Sequence, residues 1–327
     1  MIEISNRRVD LPAKAVNGGW SWGTAVVAVP GSRSVVLALP SAGSRSPWCL
    51  VDLDFGQVAK GTGMPGPLRQ LLVPGEPAAD DRPWVLGIYG LGRLELAAAR
   101  PTVSDVVRKG IGTYPATLVD YAPGVLAVGH PHRDSVILVS TVEGAVVKRL
   151  RASGGTAYRL ADGLLRMVSF HHGRAYDVDT ARHRVVRRHE VPAGKGARLV
   201  DDALVALVGQ RKRFEVVTPG GPAEVTFPGG WSISAAEIMA LDPATLAVRH
   251  RAAAPEDAVE VLGQDAAGRL VVSRGHGLSI LAPPTYAEVG RFDSERPLAG
   301  AGMVPGRDLA AIVPNDPREP ALLALRW

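Results

Sequence analysis

The chain has 327 residues, and 46% of them are hydrophobic, which is enough to bury a large core. Its formal net charge is +5, and the basic residues are spread along the sequence, so a nucleic-acid partner is not expected. Cys49 is the single cysteine and excludes an intramolecular disulfide, and no stretch is apolar enough for a signal peptide or a membrane span. We therefore expect a cytoplasmic protein without a membrane partner.

The 37 glycines and 26 prolines interrupt the chain so often that short strands joined by turns are favoured over helices. A strand-like segment at 2–9 comes first, and groups of about 40 residues follow, most with four strand patterns. In chain order the predicted strands are 25–29, 35–39, 48–53 and 57–60; a second group over 68–109 with strands at 84–89 and 93–98; 117–121, 125–128, 135–140 and 145–150; 158–160, 164–169, 174–178 and 183–189; 197–200, 204–208, 237–241 and 246–250; 259–262, 270–273, 278–281 and 287–292; and 300–304, 309–313 and 321–327.

One short phrase recurs at the end of the second predicted strand in four successive groups. It reads VGHPH, VSFHH, VGQRK and VSRGH, and it begins at Val128, Val168, Val208 and Val272. The valine and the small second residue are typical of a strand end that serves as scaffold. The fifth position differs in character, because it holds His132, His172, Lys212 or His276. We expect these four residues at equivalent hairpin tips.

The last group has three strands, and the segment at 2–9 could supply the fourth. Seven groups with such a closing strand resemble the seven-bladed β-propellers, particularly the divergent quinoprotein-like or YVTN-like group, over the whole chain. The resemblance implies an all-β fold of four-stranded antiparallel blades, a single domain over 1–327, and an insertion at about 211–234 in blade 5. The paired Gly-His and Trp-Asp of WD repeats and the double glycine of kelch repeats are missing, so no particular activity is implied.

In such propellers the loops from second to third strand, and from the fourth strand to the next blade, surround one end of a central channel. We call this end the mouth. Imidazoles there suit proton transfer, and Arg and Lys suit the binding of carboxylates or phosphates. The candidate acid–base residues are His132, His172, His276, Tyr158 and Glu256. The candidate substrate-binding residues are His130, His171, Lys212, Arg211, Arg274, Trp20, Trp22, Trp231 and Tyr114, with Lys195 on an entering loop.

We therefore expect a monomer that binds a small anionic or polar organic molecule at the mouth and carries out non-redox proton transfer, as a lyase, isomerase or cyclase does. Two alternatives remain open. One is a scaffold for protein interactions without catalysis, and the other is a metal-dependent lyase or hydrolase that uses three histidines from different blades. We expect no cofactor, although a divalent metal fits the second alternative.

Overall fold

The computed structural model describes residues 1–11, 25–38, 47–66, 68–72, 82–96, 100–107, 110–111, 117–130, 134–213, 215–218, 221–224, 231–316 and 319–327. For strand residues 105–106, 211–213, 215–218, 221–224 and 231–233 it describes the backbone alone. No helix occurs in these ranges, so none could cross a membrane.

The strands form seven four-stranded antiparallel sheets, as the sequence predicts, and the fold is a seven-bladed β-propeller. In chain order they are, for blade 1, β2 (Ala25–Ala28), β3 (Ser34–Ala38), β4 (Trp48–Asp52) and β5 (Val58–Gly61); for blade 2, β6 (Leu68–Leu72), β7 (Trp84–Gly87), β8 (Gly90–Glu95) and β9 (Thr102–Val107); for blade 3, β10 (Thr117–Ala122), β11 (Val125–Gly129), β12 (Val136–Ser140) and β13 (Val146–Leu150); and for blade 4, β14 (Thr156–Arg159), β15 (Leu165–Ser169), β16 (Arg174–Asp179) and β17 (Arg184–Glu190).

The remaining blades carry the two departures from simple repetition. Their strands are, for blade 5, β18 (Gly194–Val200), β19 (Ala203–Arg213), β22 (Trp231–Leu241) and β23 (Val248–Ala253), with a separate hairpin of β20 (Glu215–Thr218) and β21 (Gly221–Glu224); for blade 6, β24 (Ala258–Gln264), β25 (Leu270–Arg274), β26 (Gly277–Ala282) and β27 (Ala287–Asp293); and for blade 7, β28 (Leu298–Met303), β29 (Leu309–Pro314), β30 (Ala321–Arg326) and β1 (Ser5–Asp10).

The N-terminal strand β1 closes the ring, as predicted. It pairs with β30 in an antiparallel register that runs from Ser5 opposite Arg326 to Asp10 opposite Ala321. Val9 and Leu11 are buried in the apolar cluster between blades 7 and 1. The closure removes the exposed edge that β30 would otherwise present.

Apolar clusters join every pair of neighbouring blades among the described residues. Strand β3 illustrates the cause, since Leu37 packs toward blade 7 whereas Val36 packs toward blade 2. Because successive side chains of a strand point to opposite faces, a blade that is covered on both sides needs an uninterrupted apolar run.

Two predicted segments differ from the structure. Strand β7 ends at Gly87 and β8 begins at Gly90, earlier than predicted, because a two-residue turn joins them. In blade 5, β22 begins at Trp231 rather than near 237, and β19 extends to Arg213. Each extension adds about five residues, so the paired stem projects roughly 16 Å further at the mouth.

A buried ion pair links blades 4 and 5. Arg166 donates to both carboxylate oxygens of Asp177, at 2.6 and 2.9 Å, and both side chains are almost fully excluded from solvent. Arg166 also donates to the carbonyls of Pro243 and Ala244 in the β22–β23 turn, at 2.8 and 2.5 Å. His189 Nε2 lies 2.9 Å from the Asp177 carboxylate. Burial opposes ionisation of Asp177, but its hydrogen bonds to Arg166 and His189 hold its pKa below the ordinary value.

Candidate functional site

The small residue of the recurring phrase is required by packing at the strand ends. A Cβ on Gly129 would lie 2.4 Å from the Cα of Gly154, and a Cβ on Gly209 would lie 1.8 Å from the carbonyl oxygen of Ser234. Ser169 and Ser273, which hold the same position in blades 4 and 6, are buried. The valines that precede them are buried as well. The first two positions of the phrase are therefore scaffold.

The fifth position does not form a common site among the described residues. His276 is exposed at the tip between β25 and β26 and does not line the channel. His172 makes an edge-to-face contact with His171, with ring centroids 5.2 Å apart, and it is not part of the channel lining. Lys212 lies in the projecting part of β19, where the backbone alone is described, and His132 lies outside the described residues. The two tips whose side chains are described, His172 and His276, therefore do not share a place in the channel lining, and the four-residue array stays a prediction.

The third position of the phrase contributes more than the sequence suggested. Arg274 is buried, and its Nη2 donates to the Asp293 carboxylate and, at 3.3 Å, to the Phe292 carbonyl. Its Nε is buried and has no hydrogen-bond acceptor among the described residues. His130 occupies the same position in blade 3 and is also buried. Arg274 borders the channel, whereas His130 does not.

The central channel has a volume of about 1870 Å³ and is lined by the first strands of all seven blades. Side chains link these strands where their backbones do not pair. Gln70 bonds to both the carbonyl and the N–H of Leu118, at 2.8 Å each, and Arg198 forms a 3.1 Å ion pair with Glu260. Such links satisfy edge groups that would otherwise face only water. They fix the inner ring that carries the site.

The channel is basic. Its described lining holds seven Arg or Lys residues and three acids. On the mouth side these include Arg69, Lys195 and Arg274, with His171 beside them. Arg69 is exposed to the channel, whereas Lys195 is half-buried, and burial lowers the pKa of Lys195 although Glu260 partly opposes the change. A lowered pKa in a cation means that its charge has lost more hydration than neighbouring acids restore.

Arg69 is the residue that sequence reasoning missed. It lies in β6 between Leu68 and Gln70. The available signal was an arginine within a first strand, because that strand borders the channel in every blade. Lys195 could be placed near the mouth from the sequence, and it is the second residue of β18.

The remaining candidates lie apart from this group. Tyr158 is buried between blades 4 and 5, and its hydroxyl donates to the Pro243 carbonyl at 2.9 Å in a turn on the face opposite the mouth. Burial raises the pKa of Tyr158 to about 12. Its predicted place at the mouth is therefore corrected, because the phenol is packed as an inter-blade contact. Glu256 is exposed in the loop that enters β24 and does not line the channel.

Several predicted aromatic and basic residues are not described in full. Trp20, Trp22 and Tyr114 lie outside the described residues, and for Arg211 and Trp231 the backbone alone is described. No group of three His, Cys, Asp or Glu side chains suited to a metal occurs in the described part of the chain. Cys49 is buried in β4, and burial raises the pKa of its thiol to about 12.

Comparison with known proteins bears on the fold. The chain is similar to the β-propeller domain of Cps50 (Swd1) from Myceliophteria thermophila, with 14% identity, a TM-score of 0.66, and coverage of 95% of this chain and 99% of the other. The likeness is one of fold. Virginiamycin B lyase from Staphylococcus aureus is similar with 9% identity, a TM-score of 0.63, and coverage of 99% of this chain and 100% of the other. The Pan2 WD40 domain from Neurospora crassa is similar with 10% identity, a TM-score of 0.63, and coverage of 93% of this chain and 88% of the other. No protein-family model and no curated protein matches the sequence.

Proposed function

We propose that this propeller binds a small anionic organic molecule at the mouth of its channel. The observation that carries the proposal is the group of cations at the mouth end of the lining, Arg69, Lys195 and Arg274, of which Lys195 is half-buried and Arg274 is buried. Burial removes water from around Lys195 and Arg274, and a bound anion would replace that lost favourable interaction. An anion should therefore bind in the channel in preference to the open surface.

Arg274 and Lys195 would have different roles. Arg274 is held by Asp293, so its guanidinium is oriented before a ligand arrives. A preorganised planar donor suits a carboxylate or phosphate. Lys195 supplies a point charge on a flexible stem, which can adapt to the remaining part of the ligand.

Proton transfer would fall to His171, which is the imidazole in the described channel lining. The other predicted histidines either lie outside that lining or outside the described residues. A propeller that this chain matches over 99% of its residues is named a lyase, which gives a reason to test anionic substrates that can undergo elimination. His171 would then act as general base for the proton that is lost.

The test is calorimetric titration with di- and tricarboxylates and with phosphate monoesters. We expect Lys195→Met to weaken binding by about 10- to 100-fold, because a hydrogen bond from a charged group contributes roughly 1.5–3 kcal/mol. Lys148→Met is the matched control, since Lys148 is exposed on the outer strand β13. Equal affinities in the two variants would refute a site at the mouth. If the His171→Ala variant still binds the substrate but no longer forms product, the catalytic role of His171 is supported.

A second candidate is a non-catalytic interaction scaffold. The specific observation in its favour is the paired stem of β19 and β22, which extends beyond the other second and third strands at the mouth. Projecting hairpins can reach a partner that the ring itself does not touch. If the stem binds the partner, replacing the segment between Gly209 and Ala235 by a two-residue turn should abolish partner binding. Binding of small anions should remain intact in that variant.

A further inference from the structure

The face opposite the mouth carries turns between the third and fourth strands, and one of them is unlike the rest. In blades 1, 3, 4, 5 and 6 the turn has five residues and ends at a residue with positive φ. The fourth residue is polar in blades 3 to 6, where it is Glu143, Arg182, Thr245 or Thr285. In blade 1 it is Phe55, which is 70% exposed. The turn geometry does not require an aromatic residue, since polar residues fill the same place elsewhere.

Arginines surround this phenylalanine. Arg7 of β1 donates to the carbonyls of Asp54 and Phe55, at 2.6 and 2.9 Å. Arg33 and Arg326 both form ion pairs with the carboxylate of Asp54, which is 12% exposed. Arg307 is exposed and acts on Asp54 through its charge.

We call Phe55 with Arg7, Arg33, Arg307 and Arg326 the seam patch, because it lies where blades 7 and 1 meet. Its four positive charges outnumber the neighbouring carboxylates of Asp54 and Asp52, so the patch has a net positive charge. Asp54 and the turn carbonyls hold three of the guanidinium groups in place. These arginine side chains therefore lose less conformational entropy when a partner binds. Aromatic and arginine side chains are also those most often found at the energetic centre of protein interfaces.

We propose that the seam patch docks an acidic segment of a partner protein, in which carboxylates meet the arginines and an apolar side chain covers Phe55. Charge complementarity selects an acidic partner. Among the described residues the patch has one exposed aromatic side chain, because Trp327 is turned toward blade 6 by its 2.9 Å bond to Asp265. Successive bases would need further stacking platforms, so a peptide fits better than a single-stranded nucleic acid. The site is separate from the channel mouth and does not depend on the proposed small-molecule function.

The experiment is fluorescence anisotropy with a short fluorescein-labelled peptide of Glu and Leu residues and the full chain. We expect saturable binding at low ionic strength that weakens at about 0.3 M salt. Phe55→Ser should reduce affinity by at least about tenfold, and Arg307→Gln by several-fold. Val142→Ser is the matched control, because Val142 is 88% exposed in the corresponding turn of blade 3. Its affinity should equal that of the unchanged protein.

Further peptides and variants separate the components of the interaction. The same peptide with Gln in place of Glu should not bind, and replacing Leu by Ala should mimic Phe55→Ser. Melting temperatures equal to that of the unchanged protein would show that both surface variants fold. Lys195→Met should bind the peptide normally, which separates this site from the mouth. The proposal is overturned if the Glu peptide does not bind, if Val142→Ser weakens binding as much as Phe55→Ser, or if oligothymidylate binds through Phe55 more tightly than the peptide.

Discussion

Replacing Asp177 by alanine removes the acid from the buried ion pair between blades 4 and 5. Arg166 would remain almost fully excluded from solvent with its carbonyl partners Pro243 and Ala244, but without a counter-charge. Loss of one partner from a buried pair costs about 3–5 kcal/mol. The two remaining carbonyl bonds place the expected loss at the lower end, near 3 kcal/mol.

The loss should be visible in thermal unfolding. For a chain of this size the entropy of unfolding makes each kcal/mol worth roughly 1.5 °C, so Asp177→Ala should melt about 4–5 °C lower. Urea unfolding followed by circular dichroism would give the free energy directly. Arg166→Met combined with Asp177→Val is the informative control, because an apolar pair does not leave a charge buried. We expect that double variant to be more stable than Asp177→Ala. A single variant within about 0.5 kcal/mol of the unchanged protein would refute the reasoning.

Two further predictions concern ionisable groups. Because burial raises the pKa of the Cys49 thiol to about 12, the folded protein should not react with a thiol reagent at pH 8, whereas the unfolded chain should react with one equivalent; rapid labelling of the folded protein would contradict this. Hydrogen bonds from the Thr245 N–H and from Arg249 lower the pKa of Asp242 to about 2, below its value in the unfolded chain. That stabilisation is complete above the unfolded pKa and is lost as the pH falls through the folded pKa, so Asp242→Asn should show a shallower loss of stability between about pH 5 and 2, and identical acid-unfolding curves would exclude this contribution.

The repeat of strands and turns was enough to predict the seven blades and their closure by the N-terminal segment. The reason is physical, because Gly and Pro mark the turns and a blade covered on both faces must show apolar runs such as 35–39. The two-residue turn after Gly87 was missed because its residues, Ile88 and Tyr89, are apolar and continue the strand pattern that precedes them. The stem of blade 5 was missed because the sequence does not reveal how far β19 and β22 continue to pair.

The candidate site was predicted less completely. The fifth position of the recurring phrase was chosen for its chemistry, but His276 proves to be exposed, while the third position places Arg274 beside the channel. The position of Arg69 in a first strand was a usable signal, but the sequence does not show which way the side chain of a first-strand residue points. Tyr158 suited a pocket by residue type, yet a carbonyl of the neighbouring blade engages its hydroxyl. Residue type indicates what a side chain can do, and packing determines where it does so.

The pairing of β1 with β30 also bears on how the chain folds. Six residue pairs join segments more than 300 positions apart, the most distant being Ser5 with Arg326. Each other blade is assembled from strands close together in sequence, so blade 7 has the greatest loop-closure entropy to overcome and should form last. Until it does, the edge of β30 and the apolar residues around Leu322 are open to another chain. Aggregation during refolding should therefore begin at this joint.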